Sequence, residues 1–130
     1  MPSPHAASFE PVEIVPGDAA CGVLFLCDHA SNALPAAYGS LGLPPTELAR
    51  HIGYDIGAAD VTRALAAAFG APAVLTRFSW LLIDPNRGLD DPTLVMRLSD
   101  GAIVPGNARV DAREIARRVD GFWRPYRDAR

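Results

Sequence analysis

An apolar run of strand length, a helix with its own start and stop signals, and a second apolar run confine this chain to an α/β architecture. Gly22 to Cys27 reads Gly-Val-Leu-Phe-Leu-Cys. It is continuous rather than alternating, as expected of a strand covered on both faces. From Asp55 to Phe69 the period changes: Ile56, Ala59, Leu65 and Phe69 recur near helical spacing. Asp55 suits an N-cap and Gly70 a stop. Ala73 to Thr76 then reads as a strand after a short Gly-Ala-Pro link. Strand, helix, strand is a crossover unit, the connection that parallel strands require. The expected class is α/β, a mainly parallel or mixed sheet with helices on both faces in a three-layer arrangement.

The remaining segments fit around that unit. Trp80 to Ile83 predicts a further strand, and Pro44 and Pro45 head a short helix over Thr46 to Ile52 that Gly53 ends. Residues 88 to 108 are rich in loop signals. Asp111 opens an amphipathic helix through Ala112 to Val119 that is expected to reach Trp123. Residues 1 to 20 carry Pro, Ser and Ala with little periodicity and are expected to be a tail or an edge segment docked on a single domain over residues 21 to 130. With 130 residues, 49% of them hydrophobic, the chain can bury a core of its own.

Charge and hydropathy remove several function classes. The formal net charge is -3, and the 12 basic residues are all Arg, spread along the sequence. No face for a polyanion is evident, so nucleic acid is not an expected partner. The longest apolar stretch, Cys21 to Cys27, is far short of the roughly 20 residues that span a bilayer. The first twenty residues lack a basic start followed by an apolar core. The expected home is the cytoplasm. Cys21 and Cys27 would lie about 20 Å apart on an extended strand, too far for a disulfide, and are expected to be free thiols.

Two polar clusters follow apolar runs. Asp84-Pro85-Asn86-Arg87 comes after Trp80 to Ile83, and Asp28-His29-Ala30-Ser31-Asn32 after Cys27. Open α/β sheets bind ligands beyond the carboxyl ends of their strands, so both clusters fall at one sheet edge if the strands are parallel. Arg87 can form a two-pronged pair with a carboxylate, and Asn86 offers a donor and an acceptor. A neutral His29 can bind a metal while a nearby carboxylate fixes its orientation or shares the ion. Each cluster also reads as a plain turn, because Pro, Asn, Asp, Ser and Gly all favour turns. His51 and Asp55 are spaced i, i+4 and can share a helix face.

Taken together, four motifs in unbroken order carry a resemblance. Cys27-Asp-His-Ala-Ser-Asn-Ala-Leu-Pro35, His51-Ile-Gly-Tyr-Asp-Ile-Gly-Ala58, Ile83-Asp-Pro-Asn-Arg87 and Ser99-Asp-Gly-Ala-Ile-Val-Pro-Gly-Asn107 resemble the N-formylglutamate amidohydrolase family, itself similar to zinc carboxypeptidases and aspartoacylases. The resemblance implies the N-terminal part of a phosphorylase/hydrolase-like fold. It also implies a zinc-dependent hydrolase that releases formate from N-formyl-L-glutamate or cleaves a similar N-acyl amino acid. On the matching positions, His29 would be the first metal histidine and Asn86 with Arg87 the substrate-carboxylate pair. Ser31 and Asn32 are expected beside them in substrate binding.

The departures matter. Asn32 stands where the carboxypeptidase relatives place a Glu ligand, so the second metal ligand must come from elsewhere, and Asp55, in the family-like Tyr-Asp-Ile-Gly segment, is the expected residue. Trp80 stands where many relatives carry Arg, and Pro125-Tyr126-Arg127 where they carry Pro-Tyr-His. Family members are longer and hold a second metal histidine and the acid/base carboxylate in the part not represented here, so zinc binding by this chain is expected to be poor. The competing expectations are an inactive truncated homologue, or a module that binds a small carboxylate without cleaving it. An unfinished sheet would also favour self-association.

Overall fold

The computed structural model describes residues 9–50, 53–99 and 101–130. A three-stranded sheet organises them, with β1 (Val12–Val15), β2 (Phe25–Cys27) and β3 (Ala73–Thr76) in the order β1-β3-β2. β2 runs parallel to β3, pairing Phe25 with Ala73 and Cys27 with Leu75, and β1 runs antiparallel to β3, pairing Val12 with Thr76. The sheet is therefore mixed. Within residues 1 to 20, the edge strand β1 is the segment docked on the domain. The crossover from β2 to β3 passes through α2 (Ala58–Phe69), as the sequence predicted.

β3 is central, and all four of its residues are buried. Its side chains alternate between two cores, as the two-residue period of a strand requires. Ala73 and Leu75 pack with Cys27 and with Ala66 of α2. Val74 faces a larger cluster containing Phe78, Leu82, Ile83, Val119, Trp123 and Tyr126. The second cluster is closed by α3 (Ala112–Arg118), a π-helical turn at Val119–Trp123, and α4 (Arg124–Ala129). Helical segments thus cover both faces of β3. Asp111 caps α3 by accepting from the Glu114 amide at 2.9 Å, the local bond that its position predicted. The short helix α1 is Pro45–Leu48; the expected extension through His51 and Ile52 lies outside the described residues. Leu98–Ser99 and Ala102–Ile103 form a small antiparallel hairpin in the loop-rich segment.

Two expectations are corrected. Trp80 to Ile83 is a buried turn, not a strand. Leu81, Leu82 and Ile83 are fully buried, each burial contributing about 1.5–3 kcal/mol. Their backbone groups are satisfied by side chains instead of a neighbouring strand. Asn107 donates to the Leu81 carbonyl at 2.8 Å, Arg118 donates to the Leu82 carbonyl at 3.0 Å and to Asn107 Oδ1 at 2.7 Å, and Ser79 Oγ accepts from the Leu81 amide at 3.2 Å. The second correction concerns β2, which is not covered on both faces. Leu26 is 42% exposed, Val23 and Leu24 are also exposed, and among the described residues no strand pairs with the outer edge of β2. Val61, Leu65 and Phe69 of α2 continue the exposed apolar surface alongside.

Candidate functional site

The chain leaves the carboxyl end of β2 directly into Asp28 and His29. Thr76, the last residue of β3, secures that exit: its hydroxyl donates to the Asp28 carbonyl at 3.1 Å and accepts from the Ala30 amide at 3.2 Å. Tyr126 braces it from the other side, its buried hydroxyl donating to Asp28 Oδ1 at 2.5 Å. Burial, reinforced by that hydrogen bond, pushes the Tyr126 phenol far above its usual range, so it stays a donor.

His29 is held at three points. Its Nε2 meets Asp84 Oδ1 at 2.9 Å, and Asp84 is almost wholly buried. Its Nδ1 lies 3.4 Å from Asp55 Oδ2. Its ring stacks on the Trp80 indole with centroids 5.3 Å apart and planes 26° apart. Burial disfavours the charged imidazole, but the Asp84 hydrogen bond and the charges of Asp84, Asp55 and Asp28 outweigh it and raise the His29 pKa. Asp84 is the complement. Burial would raise its pKa, yet His29, the Asn86 amide and Arg87 together lower it.

Asp55 reaches this place for a reason the sequence did not show. It was expected to cap α2 with its side chain, but the cap is Gly57, at φ +84°, a left-handed conformation that suits glycine. Asp55 instead donates its backbone amide to the His29 carbonyl at 3.0 Å. Its carboxylate is free of capping and faces the imidazole.

The predicted site residues separate into groups. His29, Asp55 and Asn86 line one open cleft of about 590 Å³ together with Leu26, Cys27 and Val61. Arg87 does not line it, but is tied to it through Asp84: its Nε lies 3.4 Å from Asp84 Oδ2 and its Nη1 3.8 Å from Asp91. Both contacts are long, and the Arg87 side chain is 41% exposed. Ser31 lines a neighbouring cavity that shares Asp55, and its Oγ accepts from the Ala33 amide at 3.0 Å. Asn32 spends its amide on the Leu48 carbonyl at 3.1 Å, locking the loop onto α1. His51 lies outside the described residues. The neighbouring cavity that shares Asp55 is larger, about 860 Å³, and another of about 910 Å³ is lined by none of these residues; size does not mark the chemistry here.

Two groups that matter were missed as partners of His29: Asp84 and Trp80. The signal for Asp84 was available, because a carboxylate placed straight after a buried apolar run needs a buried partner. For a metal, the donor geometry fits in part. Two ligands on one tetrahedral zinc with bonds of about 2.0–2.1 Å stand about 3.4 Å apart, and His29 Nδ1 and Asp55 Oδ2 are at 3.4 Å. With Nε2 occupied by Asp84, Nδ1 is the nitrogen left to bind. Among the described residues, no group of three or more His, Cys, Asp or Glu side chains is arranged to hold a metal ion. The pair supplies part of a ligand set.

Comparison with known proteins agrees with these motifs. The sequence model of the N-formylglutamate amidohydrolase family matches residues 21–129. A gene product of Agrobacterium tumefaciens of known crystal structure is 33% identical, with a TM-score of 0.84. The match covers 93% of this chain and 48% of that one, so the chain spans about half the length of its solved relative. No curated protein matches. Among the described residues, no helix is long and apolar enough to cross a membrane.

Proposed function

Because the chain belongs to the N-formylglutamate amidohydrolase family, we propose that the His29 cleft is part of a zinc-dependent hydrolytic site for N-formyl-L-glutamate or a similar N-acyl amino acid. The products would be formate, or another acid, and the free amino acid. The observation that carries this reading is the double anchoring of His29: a buried carboxylate occupies Nε2, while Nδ1 opens beside Asp55 into the cleft that Asn86 lines.

His29 Nδ1 and Asp55 would hold the zinc, which when bound supplies a Lewis acid and a water of lowered pKa. Asp84 keeps the proton on Nε2 and so presents the Nδ1 lone pair. Arg87 takes the substrate carboxylate as a two-pronged pair, using donors that its long contacts to Asp84 and Asp91 leave available. Asn86 orients the same carboxylate from the cleft wall. His29 and Asp55 do not complete a three-ligand catalytic site, and hydrolysis needs a base beside the water. The missing donors and the base are assigned to sequence corresponding to the other half of the solved relative, which would also extend the sheet as a three-layer fold.

A second reading is a domain that holds a small carboxylate without cleaving it. It is favoured by Arg87, whose half-exposed side chain makes only long contacts to Asp84 and Asp91 and so keeps donors for a carboxylate without any metal. Titration of zinc and then of N-formyl-L-glutamate into isotope-labelled chain, followed by NMR, tests both. Saturable shifts at His29 and Asp55 with zinc, and at Asn86 and Arg87 with the ligand, support the hydrolase reading. The zinc titration is carried to large excess because two donors bind weakly; ligand shifts with no zinc shift at His29 even there favour the binding module, and shifts in neither place reject both.

A further inference from the structure

We propose that Trp80 is a positioning residue for His29, a rigid aromatic wall that sets the plane of the imidazole and so aims Nδ1 at its ligand. The inference rests on the reading of His29 as a metal-binding histidine.

Of the three contacts on the ring, the one to the exposed Asp55 is long, at 3.4 Å, and the other two do different work. A hydrogen bond at Nε2 selects which nitrogen carries the proton, but holds only one atom of the ring. The outer torsion of a histidine side chain is broad, so the ring can rock about its link to Asp84. The Nδ1 lone pair lies in the ring plane, and tilting that plane turns the lone pair away from an ion. The Asp84 contact at 2.9 Å therefore needs a second restraint on the ring face. Trp80 supplies it: at 5.3 Å between centroids and 26° between planes, the indole lies against the imidazole in an offset stack. The edge carrying Nδ1 stays open toward Asp55.

Trp80 is itself stiffly mounted. It is partly buried in the turn between Ser79 and Leu81 and packs against the cluster formed by Leu41, Leu43, Leu81 and Val104. Ser79 pins the turn by donating to the Gly53 carbonyl at 2.7 Å. That bond ties the segment carrying Trp80 to the segment that leads into Asp55. The indole N–H is buried with no hydrogen-bond partner among the described residues, so its polar end makes no bond that would explain an indole here. Its flat face does, through the stack on His29. A phenyl ring should therefore replace it, and a leucine of comparable apolar character should not.

The test compares wild type, Trp80→Phe and Trp80→Leu, each shown to be folded by its amide NMR fingerprint. Without metal, ¹³C relaxation of the His29 ring should report the same order in wild type and Trp80→Phe and a mobile ring in Trp80→Leu. On titration with zinc, Trp80→Leu should lose about tenfold or more in affinity, the range found when outer partners of metal histidines are removed. Trp80→Phe should stay close to wild type. An ordered His29 ring and unchanged zinc affinity in Trp80→Leu would overturn the proposal while leaving the metal reading intact. Zinc binding that is unaffected by His29→Ala would reject the metal reading itself, and the ring-order measurement would then decide the mechanical role of Trp80 alone.

Discussion

Replacing Asp84 by Asn isolates the interaction on which the geometry of the cleft depends. The side chain of Asp84 is 3% exposed and that of His29 20%, and the two meet at 2.9 Å. Asp84 Oδ1 also accepts from the Asn86 amide at 3.0 Å. Asn keeps the size but removes the charge and turns one acceptor into a donor. Hydrogen bonds to a charged group are worth about 1.5–3 kcal/mol each, and breaking a buried ion pair costs about 3–5 kcal/mol. A loss of about 2–4 kcal/mol is expected, since the amide oxygen can keep one of the two bonds. A cycle of Asp84→Asn, His29→Gln and the double variant, measured by urea denaturation near pH 6, should give a coupling of about 1.5–3 kcal/mol.

The pH dependence carries a sign as well. The folded pKa of His29 is raised, so its contribution is complete below the ordinary histidine value of about 6.5 and is lost as pH rises through the higher folded value. The folded pKa of Asp84 is lowered, so its contribution is present above the ordinary carboxylate value of about 3.9 and is lost as pH falls through the lower folded value. The pair therefore stabilises most between about pH 4 and 6.5. The fall in stability above that window should be smaller in Asp84→Asn, where Asp55 and Asp28 remain but burial of His29 is no longer opposed by its strongest partner. A coupling below about 0.5 kcal/mol, or parallel pH profiles for the two proteins, would refute the anchoring of His29 by Asp84.

Other consequences follow from named contacts. Asn107→Ala should cost about 2–4 kcal/mol in chemical denaturation, because it strips the Leu81 and Met96 carbonyls and leaves Arg118 short of an acceptor. The purified chain should self-associate through the open edge of β2 and the Val61, Leu65 and Phe69 surface, and Leu26→Lys should shift it toward monomer in sedimentation; a wild type that stays monomeric at high concentration counts against this. Tyr126→Phe should cost about 1–3 kcal/mol by removing the donor to Asp28. It should also delete a tyrosine that resists ionisation in the native state, visible in the ultraviolet titration.

Local rules were legible and long-range ones were not. The Gly70 stop of α2, the Asp111 cap, the Pro45 start of α1 and the strand at Ala73 each follow from residues within a turn of one another. The turn at Trp80 to Ile83 was hidden because a fully buried apolar run looks alike as strand or turn. What decides it comes from Asn107, 26 residues from Leu81, and Arg118, 36 residues from Leu82. The pairing of His29 with Asp84 spans 55 residues and left no periodic trace. Asp55 faces His29 because Gly57, two positions on, takes the cap and a positive φ. Composition and motif order brought His29, Asp55 and Asn86 into consideration; only the folded chain shows them sharing a cleft, with Ser31 beside it in the neighbouring cavity and the Asn32 amide bonded to the Leu48 carbonyl.

Arg87 offers the most direct test of the proposed site. Arg87→Lys keeps the positive charge and loses the planar fork that grips a carboxylate. In calorimetric titration of N-formyl-L-glutamate into both proteins, the substitution should weaken binding by about ten- to a hundredfold, the equivalent of about 1.5–3 kcal/mol. Equal affinities for wild type and Arg87→Lys would contradict the carboxylate-anchor role and, with it, the assignment of an N-acyl amino acid as the substrate.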